Sequence, residues 1–88
     1  MIEDVQYSSG KIYAKISSDI IGIAKVEIKR TILGVTHTRD MDPSTEVISG
    51  KQYNYEYDFT FNPGEGKECT IIVTDNNGNK DTYTYIIP

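Results

Sequence analysis

The chain is 88 residues long, with 38% hydrophobic and 25% charged residues and no tryptophan, which sets it at one domain and excludes a two-domain organisation. So short a chain buries only about 60–65% of its unfolded surface, enough for one thin core and too little to enclose a substrate or large cofactor, so no enzyme is expected. Nine Lys and Arg against thirteen Asp and Glu leave a net charge of −4, the wrong sign for binding nucleic acid through its phosphates or for an anionic lipid surface.

Apolar residues recur with period two from the start. Residues 2–7 read as a first strand with Val5 inward, and Ser8-Ser9-Gly10 as a turn. In Lys11–Ser17, Ile12, Ala14 and Ile16 share one face, and Lys11, Tyr13, Lys15 and Ser17 the other, so Tyr13 is expected to be exposed. After the turn between Ser18-Asp19 and Gly22, Ala24, Val26 and Ile28 face in from a strand over 24–31. Gly34 introduces a short edge strand, 35–38, and Asp42-Pro43-Ser44 and Ser49-Gly50 read as turns. Residues 34–50 are the least patterned part of the chain.

The longest alternation follows, over 53–61, where Tyr53, Tyr55, Tyr57, Phe59 and Phe61 alternate with Asn54, Glu56, Asp58 and Thr60. An aromatic stripe could stack sugar rings, but the other face of this strand is wholly polar, so the aromatic face is the one expected inside. A loop at Asn62–Gly66 leads to a strand over 68–74 with Cys69, Ile71 and Val73 inward. The Asp75–Asn79 turn then leads to a last strand over 80–87 with Tyr83, Tyr85 and Ile87 on one face. Turn signals about 8–12 residues apart, with no helical period anywhere, are the signature of an all-β sandwich or small barrel, and seven strands use up the chain; the expected fold is a seven-stranded antiparallel sandwich. Its core is expected from Val5, Ile12, Ile16, Val26, Ile28, Tyr55, Tyr57, Phe59, Ile71, Val73, Tyr85 and Ile87.

Tyr53–Phe59, Pro63-Gly64-Glu65-Gly66 and the run Thr70-Ile71-Ile72-Val73-Thr74-Asp75-Asn76-Asn77-Gly78-Asn79-Lys80 together resemble the C-terminal half of bacterial immunoglobulin-like domains, and Ser18–Ile28 is similar to the passage between their second and third strands. Those domains occur in tandem in exported surface proteins and multidomain glycosidases. The resemblance implies an immunoglobulin-like sandwich spanning 1–88, cut from a longer multidomain protein, at the cell surface or outside the cell. It implies a non-catalytic spacer that presents neighbouring domains and contacts them through its ends. The alternative is an adhesive module for carbohydrate or a host surface protein, accessory to a glycosidase, with His37, Arg39 and Met41 as partner-binding candidates. Cys69 stands where these domains often carry tyrosine, so no tyrosine-corner hydrogen bond is expected.

Few residues suggest other chemistry. One cysteine and one histidine exclude an internal disulfide and a thiolate–imidazole zinc site. Cys69 and His37 as nucleophile and base, or Glu56 and Asp58 as a carboxylate pair on a solvated face, are set aside. A Lys-to-Asn crosslink is rejected because Lys11 and Lys15 face out and the last strand has no asparagine. Asp75, Asn77, Asn79 and Asp81 alternate as in the first half of a calcium loop, but the glycine is at the fourth position instead of the sixth and Ile86 occupies the place of the bidentate glutamate. A tight hairpin accounts for every one of these residues, so no cofactor is expected, calcium being the one candidate. No eighteen-residue apolar run occurs, so membrane insertion is not expected.

Overall fold

A computed structural model describes residues 1–32, 34–58 and 68–87, and of Ile32 the backbone alone. The described residues form ten strands: β1 (Ile2–Ser8), β2 (Lys11–Ile16), β3 (Ile23–Ile32), β4 (Val35–Asp40), β5 (Asp42–Pro43), β6 (Val47–Ile48), β7 (Lys51–Gln52), β8 (Tyr55–Asp58), β9 (Glu68–Asp75) and β10 (Lys80–Ile86). All pairings are antiparallel, and no helix occurs among the described residues. Sheet A has the order β1-β2-β8-β5 and sheet B the order β10-β9-β3-β4, while β6 and β7 form a hairpin of their own. The all-β antiparallel class agrees with the sequence. The count of seven strands does not, because the stretch from Asp42 to Gln52 holds three strands of two residues each, too short to show a period.

The core lies between the two sheets. Sheet A contributes Val5, Ile12, Ala14 and Ile16, sheet B contributes Val26, Ile28, Cys69, Ile71 and Val73, and Met41 and Ile87 complete the cluster. Period-two alternation thus located most of the interior. Tyr55, Tyr57 and Tyr85 pack against this cluster only partly buried, while Phe59 and Phe61 lie outside the described residues. The two Ser-Gly hairpins, Ser9-Gly10 and Ser49-Gly50, each place both residues at positive φ, the backbone that matches a two-residue turn to strand twist.

Three expectations about facing are corrected. Ala24 is exposed: the β3–β9 register shifts between Ile23 and Lys25, so Ile23 packs on the core instead. Tyr13 is buried at 6% exposure, and Tyr53 at 2%, yet neither belongs to the inter-sheet cluster. Tyr13 lies between Ile12 and Ala14 on β2, so it projects from the outer face of sheet A, and the Tyr53 ring sits 6.1 Å from its own.

Asn54 causes the switch. The β2–β8 pairing ends at Ala14 opposite Tyr55, where the Asn54 amide takes over the ladder. Its Oδ1 accepts from Ile16 N at 2.9 Å, and its Nδ2 donates to Ile16 O at 2.8 Å. With a side chain providing that rung, the backbone is free to leave the strand, and Tyr53 N donates to Glu46 O at 2.8 Å instead. Tyr53 therefore folds over Tyr13 on the outside of sheet A. There its hydroxyl donates to Asp4 Oδ2 at 2.5 Å, and Lys51 Nζ approaches the same oxygen at 3.5 Å.

Candidate functional site

Ile2 N donates to Asp81 Oδ2 at 2.9 Å, so β1 begins at the end of the sandwich where β10 begins. This proximal end also holds the β2–β3 loop and the β9–β10 turn, which are locked together. Asp19 Oδ1 accepts from Ile21 N at 2.9 Å, closing an Asx turn. Asn76 Nδ2 donates to Ile21 O at 2.6 Å, and Asn76 N to Gly22 O at 3.2 Å. Held this way, Ile20 is fully exposed. Beside the loop lies an open groove of about 310 Å³ whose lining includes Ser17, Asp19, Gly22, Asp75, Lys80 and Asp81.

Gly22 has φ +82°, and a Cβ there would lie 2.8 Å from Asn76 Nδ2. Gly22→Ala therefore meets both left-handed backbone strain and the loss of the Asn76 clamp, and is expected to cost about 1–3 kcal/mol. Thermal melts of the variant and of Asn76→Ala check this, since the second removes the clamp without the strain and should be the milder change.

The four calcium candidates are placed apart in function. Asp75 Oδ1 accepts from both Asn77 N and Asn79 N at 2.9 Å, Asn79 Nδ2 reaches Asp75 Oδ2 at 3.4 Å, and Gly78 N donates to Asp75 O at 3.0 Å. The Asn79 amide foremost, then that of Asn77, holds the Asp75 carboxyl below the usual carboxylate range. Asp81 is engaged with Ile2 instead. No group of three or more His, Cys, Asp or Glu able to hold a metal occurs among the described residues. The melting temperature is expected to move by less than about 1 °C between millimolar calcium and chelator, because a cation would have to displace the turn amides; a larger rise would restore the loop as a calcium site.

His37, Arg39 and Met41 do not form one surface. His37 is half-buried and Arg39 exposed on edge strand β4, but Met41 is 6% exposed inside the core cluster, with its N donating to Val26 O at 2.9 Å. The chain leaves sheet B at Met41 to reach β5, and the crossing side chain plugs the gap between sheets. Its place between two polar residues gave no sign of this.

Cys69 and His37 are both cross-strand partners of Arg30, so β3 separates them by two strand spacings, roughly 9–10 Å, beyond hydrogen-bond reach. Burial pushes the Cys69 thiol up to about 11. Glu56 and Asp58 do share the outer face of sheet A, where Lys11 Nζ donates to Glu56 Oε2 at 2.8 Å. That ion pair, with a hydrogen bond from Ser44, lowers the Glu56 pKa, the opposite of what a general acid requires. Comparison of the chain with protein-family models, with curated proteins and with solved structures gave no match.

Proposed function

We propose that the chain is a non-catalytic immunoglobulin-like module that spaces or presents other domains of an exported bacterial surface protein. The observation that carries this reading is the path of the backbone. β1 starts at the proximal end beside Asp81, whereas β10 runs from Lys80 to Ile86 and finishes at the other end, opposite Glu68. Polypeptide continuing beyond these two strands would leave from opposite ends of a body measuring 42 × 30 × 17 Å, the arrangement that strings modules in a line. Two four-stranded antiparallel sheets in the orders β1-β2-β8-β5 and β10-β9-β3-β4 support the finer assignment, since immunoglobulin-like sandwiches split their strands between sheets in this way.

A second reading, an adhesive module for carbohydrate or a host surface protein, is favoured by the open groove at the proximal end, where the Asp19, Asp75 and Asp81 carboxylates lie beside the apolar Ile23 and Val73, a mixture that suits the hydroxyls and the apolar face of a sugar ring. A panel of glycans and extracellular-matrix proteins separates the two. The spacer reading expects no saturable binding. Saturable binding abolished by Asp19→Ala or Asp81→Ala would replace it with the adhesive one.

A further inference from the structure

The outer face of sheet B carries a charge pattern that matches its own inverse. Cross-strand pairing lays its side chains in rows across the strands. Lys80, Thr74 and Lys25 form one row, and Thr82, Ile72, Glu27 and Asp40 the next. Thr84, Thr70, Lys29 and Thr38 follow, then Ile86 and Glu68. All point away from the core, since Val26, Ile28, Cys69, Ile71 and Val73 alternate with them and face it. Along the strand direction the rows read positive, negative, positive, negative. Three lysines balance three carboxylates, so this face is neutral on a chain of net charge −4, and the rest of the molecule carries the whole excess.

We propose that two copies of the chain pack face to face through this surface, about a two-fold axis that lies between the sheets and crosses the strands between the Glu27 and Lys29 rows. The axis sets β3 over β3 of the second copy running the other way. Glu27 then meets Lys29 of the other molecule, and Lys29 meets its Glu27. On β9, Ile72 lies over Thr70, and Glu68 lies over Thr74, between Lys25 and Lys80 of the facing copy. Every charged row meets its opposite, with the Ile72 side chains and threonine methyls at the centre. Sheets of this kind stack about 10 Å apart in aligned packing.

The size of the face sets the strength. Four strands about 4.8 Å apart and about 23 Å long offer roughly 450 Å² per copy, or about 900 Å² in all, short of the ~1,200 Å² of stable complexes. The dimer is weak, populated near millimolar and not near micromolar concentration. This association is independent of the spacer reading: it concerns the flank of the sandwich and needs neither end.

NMR relaxation and chemical shifts of the 88-residue chain, followed from about 0.05 to 2 mM, test it. The rotational correlation time is expected to rise with concentration, with shifts moving at Glu27, Lys29, Thr70 and Ile72. Lys29→Glu and Glu27→Lys are each expected to weaken association by about tenfold or more, since each sets like charges together, and the double swap to return to within about threefold of the original. Glu27→Lys is the sharper single change, because it lowers the net negative charge and would strengthen an association governed by overall repulsion. A correlation time that stays constant over this range, shift changes centred on Ile20 and Ile21, or a double swap as weak as the singles would overturn the proposal. Circular dichroism melts of all three variants check that the fold is kept, because Glu27 is half-buried and pairs with Lys25 Nζ of its own chain at 3.4 Å, whereas Lys29 is exposed.

Discussion

Replacing Ile71 with alanine is expected to destabilise the fold by about 3–4 kcal/mol, the middle of the range for truncating a fully buried aliphatic side chain. Ile71 has no exposed surface and sits on β9, the central partner of both β3 and β10, with Ile28 and Tyr83 as cross-strand partners. A cavity there cannot collapse without pulling the β3–β9 ladder out of register, so relaxation recovers little. A domain of this size has a total stability of roughly 4–13 kcal/mol, and each kcal/mol is worth about 4–8 °C of melting temperature. Thermal or urea unfolding should therefore show a loss of at least ~12 °C, while Ile71→Val should lose only about 1 kcal/mol. Equal losses in the two variants would mean that the hole, and not the removed methylenes, is being misjudged.

The second large effect is expected outside the core. Tyr53→Ala should cost about 3 kcal/mol, as for a buried aromatic, because it removes the ring that covers Tyr13 and the hydroxyl that holds Asp4. Tyr53→Phe keeps the ring and is expected to lose about 1–2 kcal/mol, the hydrogen bond to a carboxylate alone. Comparing Tyr53→Phe, Asp4→Asn and the pair in a double-mutant cycle isolates that bond; additive losses would show that ring packing alone fastens the hairpin.

The same contact gives two pH dependences. The Tyr53 hydroxyl, with help from Lys51, lowers the Asp4 pKa below its usual 3.8, so this stabilisation is complete above the unfolded pKa and fades as pH falls below it. Burial first, and the Asp4 carboxylate second, push the Tyr53 phenol from 10.0 up to about 12. An unfolded chain ionises at 10.0 while the folded one does not, so stability is lost as pH rises from 10.0 towards about 12. Cys69, raised by burial from 9.0 to about 11, adds to the same alkaline loss. Urea midpoints between pH 8 and 11 should fall for the natural chain, and fall less for Tyr53→Phe.

The contrast between these two sites shows what could be read in the sequence. Ile12 and Ile16, Val26 and Ile28, and Ile71 and Val73 alternate with polar neighbours, and period two alone places them inside. The stripe from Tyr53 to Tyr57 alternates equally well, but the Asn54 amide stands in for one rung of backbone pairing and turns Tyr53 to the other face. No local pattern marks that substitution. Tyr13 could not be read as buried because its cover comes from forty residues further along, and Ile23 and Ala24 exchange roles at a bulge that shifts register without an unusual residue. The two-residue strands β5, β6 and β7 are too short for any period. At the proximal end, the Asx turn at Asp19 and the Asp75 hairpin were legible as turns, because each rests on a side chain bonding its own neighbours. The clamp joining them was not, since Asn76 reaches Ile21 across 55 positions.

Cys69, with 1% of its surface exposed between β10 and β3, makes the chain its own stopwatch. A thiol reagent reaches this sulfur only when the centre of sheet B opens, so the labelling rate in native buffer counts openings without any engineered probe. Where reclosing outruns labelling, that rate equals the rate for a free thiol multiplied by the open fraction. Ile71→Ala should accelerate it by the factor its stability loss dictates.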